Sequence, residues 1–288
     1  MSTQVATTRN EGRVISAISD GWVLTKRNLL TYVRKPDLLV FSTIQPVMFV
    51  LLFVYVFGGA FKAILPSSIP YVDYLMPGIF VQTSIFSALQ TGVGLADDLQ
   101  KGLIDRFKSL PMARSAVLAG RTLADTVAIV VQVFLMLGVA LLVGFRFHEG
   151  MAEALLAFAV TIGVGYSFTW VAAFAGLSLK SVEAVQAATF TIVFPFVFAS
   201  SAFTPVATFP GWLQGWAHIN PVTIWVDTVR VLTLGDAYVA FRATPNVAAG
   251  IAADPIASLG TLLVQSTAWF LGIFLVAVFL GVRVYRRT

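Results

Sequence analysis

The sequence predicts an all-α membrane protein with six transmembrane helices, and three observations carry that reading. Of its 288 residues, 58% are hydrophobic and 11% charged, against roughly a quarter charged in ordinary soluble domains. The apolar residues are gathered into blocks, and about 20 of them in helical form cross a hydrocarbon core about 30 Å thick. The basic residues fall almost entirely between alternate blocks, the asymmetry expected of a chain that keeps positive charge in the cytoplasm.

Residues 1–12 are polar. From Arg13 to Arg34 the pattern is helical and two-faced, with Ile15, Ile18, Trp22, Leu29 and Val33 opposite Arg13, Asp20, Lys26 and Arg27. A soluble amphipathic helix has the same pattern. Because this one runs directly into a span, residues 13–36 read as an interfacial helix with its apolar face toward lipid. Lys35-Pro36-Asp37 ends it, since the residue before proline is pushed out of the helical region. The segment does not read as a secretory signal peptide.

The predicted spans are Leu38–Phe57, Tyr74–Leu95, Val117–Val143, Ala154–Leu179, Val185–Phe203 and Ser258–Val282. With both ends inside, fifteen of the nineteen Lys and Arg residues are cytoplasmic, leaving Lys62, Arg146, Arg230 and Arg242 outside. Removing or adding one span scatters the two groups. No linker, repeat or low-complexity tract divides the chain, so residues 1–288 read as one transmembrane domain.

Two connections are unusual. The cytoplasmic loop 96–116 is rich in charge yet keeps Leu99, Leu103, Ile104, Phe107 and Leu110 at helical spacing, which predicts a short amphipathic helix. Its apolar face suits either the membrane surface or a cytosolic partner. Just beyond it, Arg121 and Asp125 are four residues apart and pair on one helix face.

The external segment 204–234 contains Pro205, Pro210, Pro221, Gly211 and Gly215, which exclude one straight helix. Trp212 and Trp216 are a turn apart and suit the membrane boundary. Asn220-Pro221 reads as N-cap and first helical residue, starting a mostly apolar helix through Leu232. Two short apolar helices suggest a re-entrant hairpin after the fifth span, with Asp227 and Arg230 paired at its exposed edge. Irregular backbone of this kind survives only under protein cover or along a cavity.

The chain has no cysteine, which excludes disulfides, thiolate metal sites and a cysteine nucleophile. His148 and His218 lie in different segments without a carboxylate cluster at ligand spacing, so no metal site is expected. No nucleophile–base constellation is legible, and no catalytic residue is expected. Inside the spans, Gln45, Ser84, Ser87, Thr91, Gln132, Gln186 and Thr189 stand out, most of them suited to helix–helix packing. Gly165, Thr169, Ala172 and Gly176 read as packing contacts.

Four segments resemble the ABC-2 family of ATP-binding-cassette transporter permeases, in particular the daunorubicin-resistance type of drug-export permease. They are Arg27-Asn28-Leu29 through Arg34-Lys35-Pro36 to Pro46; Arg106-Phe107-Lys108-Ser109-Leu110-Pro111-Met112-Ala113-Arg114; Gly120-Arg121 through Asp125; and Phe209-Pro210-Gly211-Trp212-Leu213 through Asn220-Pro221 to Asp227 and Arg230. The resemblance covers nearly the whole chain and implies a permease subunit of an exporter of hydrophobic or amphipathic compounds in the cell membrane. It implies a cytosolic ABC ATPase as partner, together with a second permease copy or paralogue, and membrane lipids around both. No nucleic-acid partner is expected.

The resemblance further implies that the 96–116 helix couples to that ATPase through Asp98, Lys101, Leu103, Ile104, Arg106, Phe107, Leu110 and Pro111. It implies a pathway lined by Gln45, Gln82, Thr189, Phe190 and Phe194, and an external gate at Trp212, Trp216, Asn220 and Pro221. No G-x-x-x-x-G-K-[ST] phosphate loop occurs in the sequence, so ATP and Mg are expected on the partner subunit. A polysaccharide or lipid-linked glycan exporter of the same superfamily is the alternative. An ATPase-independent secondary transporter, expected to carry mid-membrane acids or inverted repeats, and a plain membrane anchor are the others.

Overall fold

The computed structural model describes residues 25–26, 28–30, 34, 36–61, 64–103, 114–246 and 251–287, and the fold they form is all-helical. Helix α1 (Pro36–Leu51) carries Pro46 in its interior, continues as a π-helical stretch Leu52–Phe57, and ends in the turn Gly58–Phe61. Then come α2 (Tyr71–Gln100), α3 (Arg114–Val143), α4 (Met151–Leu179), α5 (Val182–Phe198), α6 (Gly211–Ile219), α7 (Pro221–Leu234), α8 (Asp236–Ala243) and α9 (Leu259–Arg287).

Five helices among the described residues are long and apolar enough to cross a membrane: the α1 segment Ser42–Phe61, α2, and most or all of α3, α4 and α9. The predicted fifth span, Val185–Phe203, instead contains the apolar helix α5 of 17 residues, followed by turns from Ala199 to Thr204. Those turns have a local cause. Ser200 Oγ donates to the Val197 carbonyl at 2.5 Å and accepts from the Ala202 amide at 3.2 Å, which diverts the backbone from the helix.

The second span is longer than the hydropathy suggests. Residues 96–100, assigned to the cytoplasmic loop, remain helical, and Gly102 ends the run at φ +68°, a left-handed conformation that favours glycine. Of the predicted interfacial helix 13–36, residues 25–26, 28–30, 34 and 36 are described, all of them helical, with Pro36 as the first residue of α1. There, Thr25 Oγ1 donates to the Gly120 carbonyl at 3.2 Å and ties the segment to α3.

Helix α2 is the centre of the bundle: 72% of its apolar window is buried, against 17% for α9 and 33% for α3. It packs on α1, α3, α4, α5 and α7. Its tightest seam is with α4, where a methyl group on Gly176 would overlap the Gly92 carbonyl, and one on Gly92 would overlap that of Ala172. Small residues here allow backbone-to-backbone approach, the dominant packing device where lipid supplies no hydrophobic drive. A second close approach sets Gly78 of α2 against the Ala202 carbonyl of the turn after α5.

The external segment is not a superficial loop. Helix α7 lies against α2, α4 and α9, with Trp225 fully buried and its Nε1 donating to the Ser266 carbonyl of α9 at 3.2 Å. Helix α8, not anticipated from the sequence, follows after Gly235.

Gly176→Val is expected to remove monodisperse folded protein in detergent size-exclusion chromatography. Gly138→Val, at a position where an added methyl meets open space, is expected to leave the elution profile unchanged.

Candidate functional site

Two features stand out: a cleft between α1, α2 and α5, and a buried charge cluster near the start of α2 and the turn after α5. The cleft has a volume of about 250 Å³ and its lining includes four glutamines: Gln45 from α1, Gln82 and Gln90 from α2, and Gln186 from α5. Thr83, Thr189, Phe86 and Phe190 complete much of the wall. Its described lining residues carry no charge. Gln82 Oε1 and Thr83 Oγ1 are buried without a hydrogen-bond partner.

Behind the cleft, Gln132 of α3 links its walls. Its Nε2 donates to Ser42 Oγ of α1 at 2.6 Å, and its Oε1 accepts from Ser87 Oγ of α2. An amide has both donors and acceptors, so one side chain holds two hydroxyl-bearing helices together.

Chain direction orders the cleft. Ser42 and Gln45 precede Phe49, Phe53 and Phe57 along α1, and Gln186 and Thr189 precede Phe194 and Phe198 along α5. The polar residues therefore share the N-terminal ends of both helices and the phenylalanines share the C-terminal ends. Phe194 stacks on Phe198 at 4.0 Å, Phe198 on Phe203 at 4.8 Å, and Phe203 on Phe53 at 4.8 Å. Of the five residues predicted to line the pathway, Gln45, Gln82, Thr189 and Phe190 share the cleft. Phe194 belongs to the aromatic cluster instead.

The charge cluster corrects the expectation of an exposed Asp227–Arg230 pair. Arg230 is fully buried. Its Nε donates to the Tyr74 carbonyl of α2 at 2.9 Å, one Nη to the Ala202 carbonyl at 3.0 Å, and the other to Asp227 Oδ1 at 3.4 Å. The guanidinium carbon lies 3.7 Å from the centre of the Tyr74 ring, in cation–π geometry. The pair is drawn inward because α7 is covered on several sides, so its i,i+3 spacing faces protein rather than water.

Asp227 also accepts from Ser201 Oγ and Tyr238 Oη, each at 2.9 Å, and from Arg242 at 3.1 Å. Arg242 extends the cluster to Asp254 at 2.7 Å, and His218 of α6 lies 3.7 Å from the same carboxylate. Two aspartates and two arginines make the core of the cluster neutral. Burial works against the charge of Arg242, but the Asp227 and Asp254 carboxylates oppose it, and its pKa is held above the ordinary value. Burial pushes the Tyr238 phenol up, so it stays protonated and donates to Asp227.

Around it, Asn220 caps α7 as the sequence predicts, accepting from the Val222 amide at 2.9 Å, with Pro221 as first helical residue. Its Nδ2 also donates to the carbonyls of Phe196 and Ala199, fastening the cap to the end of α5. Trp216 packs edge-on to Phe196, whereas Trp212 is 78% exposed. Asp73 accepts from the Arg146 amide at 2.9 Å and lies 3.6 Å from His148.

At the opposite end of α2, Arg121 pairs with Asp125 at 3.0 Å, as its spacing predicts, and with Asp98 at 3.2 Å. Gly94 makes room, since a methyl there would overlap the Arg121 guanidinium. Lys101 reaches Asp97 at 2.6 Å, a contact that raises the lysine's pKa, and Leu103 follows the turn. Ile104, Arg106, Phe107, Leu110 and Pro111 lie outside the described residues. Sequence reading missed Arg242 and Tyr238 as partners of Asp227 and Asp254 as the second partner of Arg242, and the available signal was that Arg230 and Arg242 are two of the four basic residues outside the predicted cytoplasmic group.

The profile of the ABC-2 type transporter family matches residues 20–234. The chain is 33% identical over 211 residues to the daunorubicin resistance ABC transporter permease protein of Streptomyces coeruleorubidus, covering 73% of this chain and 74% of the relative. It is 25% identical over 217 residues to a Mycobacterium tuberculosis protein named "Probable doxorubicin resistance ABC transporter permease", covering 73% and 75%.

Asp227→Ala leaves two buried arginines short of a counter-ion and is expected to destabilise the protein by about 3–5 kcal/mol. Detergent melting followed by Trp fluorescence checks this. Because Arg242 and Asp227 are direct partners, Arg242→Ala combined with Asp227→Ala is expected to cost less than the sum of the single changes.

Proposed function

The chain belongs to the ABC-2 type transporter family, and we propose that it is the permease subunit of an ATP-driven exporter of a hydrophobic or amphipathic compound. Family members are multi-pass membrane proteins that work with an ATPase. The observation that carries the reading is the cleft. It opens between α1, α2 and α5, is polar toward the N-terminal ends of α1 and α5, and meets a phenylalanine cluster toward their C-terminal ends.

In this reading α5 is the fifth of six spans, both chain ends are cytoplasmic, and α6 and α7 form a hairpin re-entering from outside. The charge bias of the sequence supports the orientation: fifteen of the nineteen Lys and Arg residues, Lys101 and Arg121 among them, fall on the side assigned to the cytoplasm, against Lys62, Arg146, Arg230 and Arg242 on the other. Residues 1–288 act as one transmembrane domain. A second permease copy or paralogue seats along α1 and α5, where Met48, Tyr55, Val56 and Ile192 are more than half exposed beside the cleft.

The partner ATPase binds ATP and Mg and docks on the 96–116 segment through Lys101, Leu103, Ile104, Arg106, Phe107, Leu110 and Pro111. Asp98 contributes indirectly. Its bond to Arg121 joins the end of α2 to the start of α3, so displacement of the docking segment is transmitted to both helices. Closure of the ATPase dimer then moves the cytoplasmic end of the seam, and the phenylalanine cluster opens to the exterior. Trp212, Trp216, Asn220 and Pro221 form the outer rim of that gate. The relatives named for daunorubicin and doxorubicin resistance support export of an amphipathic compound.

Purification through a tag on this chain, co-expressed with the ABC ATPase encoded beside it, is expected to recover a complex with ATP hydrolysis responsive to the transported compound. Leu103→Asp and Phe107→Asp are each expected to cut ATPase recovery about tenfold or more while leaving the permease folded. Recovery of the permease alone from the unmodified pair contradicts the reading.

A further inference from the structure

The cleft described above combines three properties that together define a ligand. First, its described lining is uncharged, and four amides from three helices share a largely apolar wall. An ion entering such a site leaves water without meeting a counter-charge, at a cost that grows as the dielectric falls. The chain can pair buried charges, as Asp227, Arg230, Arg242 and Asp254 show. It places none of those pairs here.

Second, the cleft wall holds hydrogen-bonding capacity that the protein does not use. Gln82 is 2% exposed and Thr83 is 4% exposed, and Gln82 Oε1 and Thr83 Oγ1 have no partner. Gln132, by contrast, is matched on both sides by Ser42 and Ser87. Buried amides and hydroxyls are ordinarily satisfied; of the five buried side-chain atoms without a partner among the described residues, these two are adjacent in sequence and belong to residues that line the cleft. An amide oxygen only accepts, so the matching ligand group must donate.

Third, the cleft is small and one-sided. About 250 Å³ falls below the roughly 300–1,000 Å³ of sites that enclose a whole drug-sized molecule. Phe86 and Phe190 share its wall, and Phe190 is 55% exposed. The space therefore suits the polar end of a larger molecule whose apolar body lies along the open phenylalanine flank.

We propose that the cleft formed by Gln45, Gln82, Thr83, Gln90, Gln186 and Thr189 binds the uncharged, hydroxyl- or amide-bearing head of an amphiphile, and selects against charged heads. This deepens the exporter reading and rests on it for the cleft's role in transport. Gln82 accepts from the head group, Thr83 and Thr189 supply adaptable hydroxyls, and the phenylalanines carry the tail. Discrimination arises from desolvation: a neutral head exchanges water for amides, whereas an ammonium or carboxylate finds no opposite charge.

The test uses the full chain in nanodiscs of zwitterionic lipid and three fluorescent probes with one shared tail, ending in glucoside, quaternary ammonium or carboxylate. The glucoside probe is expected to bind at least about tenfold more tightly than either charged probe. Gln82→Leu is expected to weaken the glucoside probe about tenfold, the scale of one hydrogen bond to a buried group, and to leave the charged probes unchanged. Gln82→Glu, and independently Gln186→Glu at an exposed position that folding tolerates, are expected to move the preference to the quaternary ammonium probe. Equal binding of the three probes, or a ranking indifferent to both glutamate variants, overturns the proposal. This readout needs no ATPase. Failed ATPase recovery with an intact probe ranking therefore defeats the exporter reading alone, and the converse defeats only the head-group assignment.

Discussion

Arg230 is the residue on which the end of the bundle that holds α7 and α8 depends. A guanidinium with no solvent exposure is tolerated only when its donors are taken up and its charge is matched. Here the donors reach the Tyr74 carbonyl of α2, the Ala202 carbonyl after α5, and Asp227 on its own helix. One side chain thus fixes α7 to the central helix and to the turn that ends α5. Asp227 then draws in Ser201, Tyr238 and Arg242, and Arg242 brings Asp254 with it.

That anchorage has consequences for the cleft. The end of α5 is held twice, by Arg230 at Ala202 and by Asn220 at the Phe196 and Ala199 carbonyls. The N-terminal part of α5 has no comparable attachment to α7, and its residues Gln186, Thr189 and Phe190 face the cleft. Helix α1 is joined to α2 through Gln132 on the polar side, and to the end of α5 and the turn after it through phenylalanine stacking on the other. One fixed end and a more open opposite end suit the proposed role, in which the seam opens to one side at a time. Such access needs bistable packing rather than gradual deformation.

What the sequence revealed depended on how local each cause is. Asn220-Pro221 was legible because a cap and a first-turn proline act within three residues. The Arg121–Asp125 pair was legible because both lie on one helix face, whereas the Asp98 contact, from another helix, had no spacing signal. The burial of Arg230 was illegible for the same reason: its partners Tyr74 and Ala202 are far away in the chain. Gln45, Gln82, Thr189 and Phe190 were selected as polar or aromatic residues of spans that the family resemblance places at a seam, and they share one cleft. Phe194, one turn beyond Phe190, stacks on Phe198 instead. The length of α5 was overestimated because hydropathy continues through Ala202 and Phe203, where serine–backbone bonds have already turned the chain.

Because the chain contains no cysteine, site-directed labelling has no background, and it tests the central claim that the α1–α2–α5 cleft is a gated pathway opening first to the cytoplasm. Gln45→Cys, in the permease–ATPase complex reconstituted with known orientation, is to be exposed to a membrane-impermeant maleimide from each side, without nucleotide and with ATP trapped. The account predicts modification from the cytoplasmic side alone without nucleotide, and loss of that reactivity when ATP is trapped. Modification from the external side without nucleotide, or reactivity indifferent to nucleotide, would contradict it.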